Sequence, residues 1–355
     1  MAVYTTIDDP SEHFQVETYT GGGANTSVTF SGNSNLKPDW LWIKNRAADY
    51  GHFVVDSTRG ISYAQNSSNA PYMEMESTAA ENTNQNWMQS VNTDGFTTGI
   101  SEHINSNSGS SYVAWAWKVN GGTTSSNTDG GINSTVQVNT TAGISIFTFT
   151  ADGTTNTIGH GLGVKPDVVI FKSRNVGGGW LLITDKINGS MDYGYMNLAD
   201  DFADIGYDAN TSSVVQYNDN NTNTQVAYAF KQIQGYSKFG AYYGNGQSTE
   251  GPFVYCGFKP AWVMIKNTQT DNRPWYIFDK ARGFNPNGVK INANTAGQEA
   301  TDQAIDMYSN GFRVRPGALG SYGTSTINHS SQYMFYMAFA ESPFVSSEGT
   351  PTTAN

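Results

Sequence analysis

The sequence KPDWLWIKNR at residues 37–46 occurs again, with substitutions, as KPDVVIFKSR at residues 165–174 and as KPAWVMIKNT at residues 259–268. Each copy places a Lys-Pro pair before an apolar run that is followed by a lysine. Proline fixes its own φ and lacks an N–H, so it marks the start of a strand rather than its interior. The nearly continuous apolar run then predicts a strand that is buried on both faces.

Other landmarks keep the same order around these three copies. Aromatic stretches precede them, and strands of alternating large and small residues close each repeat at residues 112–117, 226–230 and 333–339. The alternation predicts two differently crowded faces. The pairs Asp94-Gly95 and Asn310-Gly311 predict hairpins in the first and third repeats. The second repeat is shorter and lacks this signal, so we expect it to have lost one connection.

The composition and the repeats together predict an all-β protein built from three tandem β-sandwich modules. Only 14% of the 355 residues are charged, whereas 38 are Gly and 13% are aromatic. A helical protein would need more Ala, Leu, Glu and Lys. The predicted divisions are a short extended N-terminal anchoring arm at 1–13, module 1 at 14–120, a flexible Gly/Ser/Thr-rich linker and lead-in at 121–142, a shortened module 2 at 143–235, module 3 at 236–345 and a C-terminal tail at 346–355.

The charge balance and the cysteine count exclude several classes of protein. A formal net charge of −11 at pH 7 opposes phosphate binding, which depends on Lys and Arg, so we expect no nucleic-acid partner. The sequence has no basic and apolar leader pattern and no apolar run approaching about 18 residues. We therefore expect neither classical secretion nor membrane insertion. The single cysteine, Cys256, excludes a disulfide within the chain and a multi-cysteine metal site.

Signatures of catalysis are sparse, and we expect a protein that is not an enzyme and has no cofactor. The five histidines form no zinc motif, and no nucleophile elbow or phosphate-binding lysine motif occurs. An acidic cluster could hold calcium, since hard cations prefer several oxygen ligands, and a solvated acidic loop is the alternative. Its members are Asp200, Asp201, Asp204 and Asp208. Most of the 8 Trp residues occupy strand positions and are expected in the core or between modules, while Trp87, in a polar loop, is the candidate ligand contact.

Four motifs together resemble a family of structural proteins from tailed bacteriophages, especially marine and cyanobacterial phages. They are YTTIDDP at 4–10, the tandem Lys-Pro strands, GYSKFG at 235–240 with YGNG at 243–246, and MAFAESPF at 337–344. Members are described as virion, tail-fibre-like or lectin-like β-sandwich proteins. The resemblance thus implies concanavalin- or lectin-like sandwiches in a virion that is assembled in the host cytoplasm, and it implies no catalytic residues.

On this basis we expect a structural protein at the particle surface, as a tail-fibre or tail-appendage component with host glycan adhesion. The alternatives are a capsid decoration or head-fibre protein and, from another class, a carbohydrate-processing enzyme. The expected partners are other virion proteins, copies of the chain itself in a trimer, and host surface polysaccharide. We expect polar loops at 101–111 and 316–331 to contact the glycan, and we expect residues 1–13 to be dispensable for folding.

Overall fold

The structure is a computed structural model that describes residues 4–62, 70–83, 87–106, 109–218, 221–247, 249–283, 288–315 and 326–352. Strands dominate it, and the regular helical structure among these residues is limited to two single 3-10 turns, Pro10–Glu12 and Lys280–Arg282. Every strand pairing is antiparallel apart from one isolated bridge. The predicted all-β fold class is confirmed.

The described residues form twenty-eight strands. In module 1 they are β1 Phe14–Thr20, β2 Thr26–Val28, β3 Trp40–Asn45, β4 Phe53–Asp56, β5 Pro71–Glu74, β6 Asn82–Thr83, β7 Met88–Val91, β8 Phe96–Thr98 and β9 Ser111–Trp117. Next come β10 Ser125–Asn127, β11 Ser134–Asn139, β12 Ile144–Thr150, β13 Thr155–Gly159, β14 Val168–Ser173, β15 Leu181–Thr184, β16 Asp192–Tyr195, β17 Ala203–Asp204, β18 Val214–Asn218 and β19 Thr224–Phe230. Module 3 contains β20 Ser237–Tyr243, β21 Phe253–Tyr255, β22 Phe258–Asn267, β23 Tyr276–Asp279, β24 Val289–Asn292, β25 Ala300–Thr301, β26 Ile305–Tyr308, β27 Gly311–Val314 and β28 Tyr333–Pro343.

Each module pairs one large sheet with one small sheet. The large sheets have the orders β1-β9-β3-β4-β5-β6, β10-β11-β12-β19-β14-β15-β16-β17 and β20-β28-β22-β23-β24-β25. The small sheets are β2-β8-β7, β13-β18 and β21-β27-β26. The closing strand therefore always lies between the first strand and the Lys-Pro strand. The predicted hairpins at Gly95 and Gly311 form β7-β8 and β26-β27, and the described residues of module 2 contain no corresponding third strand.

The two faces of each large sheet have different partners. One face packs on the small sheet of its own module and forms a separate apolar cluster. The other face joins a central cluster shared by all three modules. In β9, for example, Ala114 and Ala116 face the small sheet, whereas Trp115 and Trp117 enter the central cluster. Seven of the eight tryptophans are almost fully buried, as predicted, and only Trp87 is half-buried.

Three equivalent hydrogen bonds connect the modules in a ring. Each donor immediately precedes β4, β15 or β23, and each acceptor is the backbone oxygen of the last residue of β5, β16 or β24. The pairs are His52 Nε2 with Asn292 O at 3.0 Å, Trp180 Nε1 with Glu74 O at 2.9 Å and Trp275 Nε1 with Tyr195 O at 3.0 Å. Module 1 thus donates to module 3, module 3 to module 2, and module 2 to module 1.

Two predicted connecting segments are part of the folded body. The expected linker at 121–142 contains β10 and β11, which extend the large sheet of module 2 beyond β12. In the expected arm, Ile7 is 4% exposed within the central cluster, and Thr5 Oγ1 donates to Gln234 O at 2.8 Å. The expectations of a flexible linker and of a separate arm are therefore wrong, because polar residues in both segments pair with the body.

Candidate functional site

The outward face of the small sheet in module 3 carries aromatic side chains. Val254 and Phe312 point into the module and are buried, so their neighbours along β21 and β27 point outward. The strand register places Phe253 opposite Arg313 and Tyr255 opposite Gly311. On the far side of Gly311, β26 contributes Tyr308. We call Phe253, Tyr255, Tyr308 and Arg313 the module 3 aromatic face.

The rings of this face are open to solvent. Phe253, Tyr255 and Tyr308 expose 47%, 55% and 41% of their surface. The rings of Phe253 and Tyr308 meet edge to face, with centroids 6.0 Å apart and an interplanar angle of 66°. Gly311 lies between the two tyrosines without a side chain, and a Cβ there would approach Val254 O to 2.0 Å. Gly311 therefore leaves a shallow space on the sheet surface between the rings of Tyr255 and Tyr308.

Charged groups lie beside the rings, and each of the two arginines is paired with a carboxylate. Arg313 pairs with the exposed carboxylate of Glu250 at 3.2 Å, and Arg315 Nε donates to Asp306 at 2.7 Å. Two shallow depressions of about 430 and 330 Å³ lie here and share Tyr308 and Arg313 as walls. Aromatic faces beside polar and bidentate groups suit a ligand that has both apolar C–H surface and hydroxyl groups.

Modules 1 and 2 have polar, non-aromatic residues at the positions that correspond to Phe253 and Arg313. In module 1, Ser27 and Thr97 face each other with their hydroxyl oxygens 3.0 Å apart. In module 2, Thr157 stands opposite Gln216. The sandwich therefore does not need aromatic rings on this surface, and their presence in module 3 calls for a reason other than folding.

Trp87, the residue predicted as a ligand contact, packs inside module 1. Its ring lies 4.8 Å from those of both Tyr72 and His103, measured between centroids. It also contacts Phe53 at 5.8 Å. Trp87 therefore covers the core of module 1 and is half-buried, which leaves only part of its ring for a ligand.

The four predicted calcium ligands do not converge. Asp208 accepts from Lys165 Nζ at 2.6 Å, and Asp201 lies against Asp271 of module 3. Asp204 instead faces Asp192 across β16 and β17. Among the described residues, no group of three or more His, Cys, Asp or Glu side chains could hold a metal ion. All four aspartates are exposed, in keeping with a solvated acidic surface.

The described parts of the two predicted glycan loops contain both buried and exposed residues. Ile104, Asn105 and Ser106 are inaccessible, and the Asn105 amide donates to Gly99 O at 2.9 Å. In the second loop, residues 326–328 are buried, whereas residues 316–325 lie outside the described residues. Glu102 and Gly109 in the first loop and Ser330 and Ser331 in the second are exposed. The Asn105 side chain fixes the middle of the first loop to its module, so only parts of the two loops are open to a ligand.

In module 2, Asp192 and Asp204 form a pair of carboxylates, which is the kind of arrangement that acid–base catalysis uses. Burial and the negative charge of Asp204 raise the pKa of Asp192 to about 6. Asp192 is 5% exposed, and neither residue lines any of five clefts on the described surface. Asp192 thus has the raised pKa of a general acid but lies outside these clefts.

The described fold and the aromatic face define an all-β sandwich protein with an exposed candidate ligand surface. A family model described as a domain of unknown function, DUF7483, matches residues 9–343, and the chain belongs to this family. No curated protein and no solved structure matches the chain. No helix among the described residues is long and apolar enough to cross a membrane.

Proposed function

We propose that this protein is a non-catalytic structural protein at the surface of a bacteriophage particle, in a tail fibre or other tail appendage, and that its module 3 aromatic face binds host surface polysaccharide. One observation carries the glycan-binding part. The face has three solvent-exposed aromatic rings, and the position of Phe253 is held by Ser27 in module 1 and by Thr157 in module 2. A sugar ring presents an apolar C–H face that stacks on an aromatic ring, while its hydroxyl groups reach polar side chains at the edge.

The sequence motifs at 4–10, 235–246 and 337–344 support the placement in a phage particle. The architecture suits this role, because three sandwiches share one central core without any disulfide. Capsid decoration is the alternative location. Mass spectrometry of purified particles tests the placement, with labelling by an antibody to distinguish tail from capsid. Absence of the chain from purified particles would refute it.

The glycan-binding part is tested with the purified chain on an array of bacterial capsular and O-antigen polysaccharides. The double variant Phe253→Ser/Tyr308→Ser gives module 3 the small polar side chains of module 1. We expect it to lower affinity at least about tenfold, or about 1.4 kcal/mol. The matched control, Ile100→Ser/Val164→Ser, removes two exposed apolar side chains elsewhere and should bind normally. Equal binding by both double variants would contradict the proposal.

The enzyme alternative is tested on the same polysaccharides. Glycoside hydrolases use two carboxylates on either side of the scissile bond, and Asp192 with Asp204 is the pair to examine. We expect no release of reducing ends by the wild-type chain. Release that is lost in Asp192→Asn would establish the enzyme reading instead.

A further inference from the structure

Module 2 has a cleft beside its small sheet, at the side where the other modules have a third strand. In module 1, Trp87 of the segment before β8 packs on Phe53. The residue equivalent to Phe53 in module 2 is Leu181, which lines a cleft of about 520 Å³. This volume lies within the range of about 300–1,000 Å³ that is typical of small-molecule sites.

The cleft is lined by both aromatic and uncharged polar side chains. Phe171 and Tyr217 supply buried aromatic surface, at 2% and 8% exposure. Ser173, Asn223 and Gln225 supply hydroxyl and amide groups. None of the described lining residues is charged. A neutral ligand with hydroxyl groups therefore fits these walls better than an anion or a cation does.

Gln225 has an unpaired polar atom at the cleft. Its side chain is 1% exposed, and its Nε2 donates to Ser173 Oγ at 2.8 Å. Its Oε1 is buried and has no hydrogen-bond partner among the described residues. If the amide were turned over, Nε2 would be the unpaired atom instead, so one amide atom lacks a partner in either orientation. A ligand hydroxyl can donate or accept, and thus satisfies the amide in both cases.

The exposed edge of β18 is already occupied by the preceding segment. Asn210 Oδ1 accepts from Gln216 N at 2.9 Å, and Thr211 N donates to Val214 O at 2.9 Å. An added peptide strand would have to break these hydrogen bonds, whereas a ligand that enters the cleft beside Gln225 need not.

We propose that the module 2 cleft binds a neutral sugar residue, with a hydroxyl group hydrogen-bonded to the Gln225 amide and the sugar ring against Phe171 and Tyr217. This site is separate from the module 3 aromatic face and does not depend on the function of that face. It would give one chain two inequivalent sugar contacts, so a long polysaccharide could be held at both.

Isothermal titration of the intact chain with the methyl glycosides of glucose, galactose, mannose and N-acetylglucosamine tests the site. We expect saturable binding of at least one glycoside. Gln225→Met removes the amide, and Leu181→Trp fills the cleft without changing Gln225. Each should weaken binding at least about tenfold. Ile100→Ser, at an exposed position of module 1 outside both proposed sites, is the control and should bind as the wild type does.

Folding of the variants is checked by thermal melts. Gln225→Met should melt close to the wild type, since removal of a buried unpaired group offsets the loss of the hydrogen bond to Ser173 Oγ. The proposal is overturned if none of the four glycosides binds, or if Gln225→Met and Leu181→Trp bind as well as the wild type. Polysaccharide binding that needs Phe253 and Tyr308 would still stand in that case, so the two sites fail independently.

Discussion

The indole Nε1 of Trp115 donates a hydrogen bond of 2.9 Å to Asp279 Oδ2 in module 3. The hydroxyl of Tyr228 makes the equivalent bond to Asp56 Oδ2 at 2.7 Å, from module 2 to module 1. Both carboxylates also pair with a buried arginine three residues on. The third closing strand has Met337 at this position, with no polar hydrogen to donate. Two module interfaces are therefore polar at this point, and the third is apolar.

Removing the tyrosine hydroxyl should destabilise the polar interface between modules 1 and 2. We expect Tyr228→Phe to lower the free energy of unfolding by about 1–3 kcal/mol, since a buried carboxylate loses a donor. Urea unfolding measures this change. Tyr308→Phe alters an exposed ring in the same way and should change stability by less than about 0.5 kcal/mol. Equal stability of the two variants would show that the Asp56 contact contributes nothing.

His52 should make the protein sensitive to acid. Trp42 Nε1 donates to His52 Nδ1 at 2.8 Å, so the neutral ring carries its hydrogen on Nε2, which faces Asn292 O. Burial, together with the nearby charge of Lys44, lowers the pKa of His52 from 6.5 to about 3. Between these values the unfolded chain binds a proton that the folded chain does not, so stability decreases as the pH falls.

The variant His52→Gln removes this proton and keeps an amide donor and acceptor. Between pH 6.5 and 4.5, the unfolding equilibrium constant of the wild type should rise faster than that of the variant, by up to about tenfold per pH unit. Chemical unfolding at a series of pH values gives both slopes. His329→Gln, at the surface, is the control and should keep the wild-type slope. Parallel curves for His52→Gln and the wild type would rule out the buried neutral histidine.

Lys172 should have the same kind of signature as His52, at alkaline pH. Its ammonium contacts Thr78 O of module 1 at 3.2 Å, and burial lowers its pKa from 10.5 to about 8. Lys44 and Lys266 hold the equivalent positions, and burial also lowers the pKa of each to about 8. Between pH 8 and 10.5 the unfolded chain keeps protons that the folded chain has released. Stability contributed by these lysines therefore increases with pH in this window.

Between pH 8 and 9.5, the free energy of unfolding should increase less steeply with pH in Lys172→Met than in the wild type. The difference in slope should be at most the slope that corresponds to one proton. Guanidinium unfolding at several pH values provides the slopes. Lys37→Met, at an exposed position, should leave the slope unchanged. If Lys172→Met also keeps the full slope, the lysine is not protonated differently in the folded and unfolded chains.

The N-terminal segment should contribute to stability. Ile7 is buried in the central cluster, so we expect Ile7→Ala to lower the free energy of unfolding by about 2–5 kcal/mol. Deletion of residues 1–13 should destabilise the chain at least as much. Thr6→Ala, at the exposed neighbouring position, is the control for the substitution. Thermal and urea unfolding of the three variants test this, and a deletion variant as stable as the wild type would contradict it.

The sequence predicted the repeated framework because local signals specify it. The proline before each apolar run, and the alternation of large and small residues in strands such as β9, correspond to the buried strands of the structure. The Asp94-Gly95 and Asn310-Gly311 turns likewise produce the predicted hairpins. Module 2 has no Asp-Gly or Asn-Gly turn signal, and this absence predicted that the module has lost one connection. It did not predict the cleft.

The remaining features depend on tertiary contacts that no local signal reveals. Residues 121–131 have the composition of a flexible linker, yet β10 within them pairs with β11 in the large sheet of module 2. In β21 the alternation of Phe253, Val254 and Tyr255 does not tell which residue faces outward. The register against β27 and the burial of Val254 decide it. A comparison of small-sheet positions among the three modules could have indicated the aromatic face.

The ring of hydrogen bonds through His52, Trp180 and Trp275 has a consequence for how the molecule responds to dilution. Three separate subunits joined by such contacts would come apart at low concentration, because association is second-order or higher. Here the covalent chain fixes the local concentration of each module near the other two. The central core therefore stays intact in single molecules that are released from an assembly. The outer surface of each module can also differ from those of the other two, as Ser27 in module 1 and Tyr255 in module 3 show.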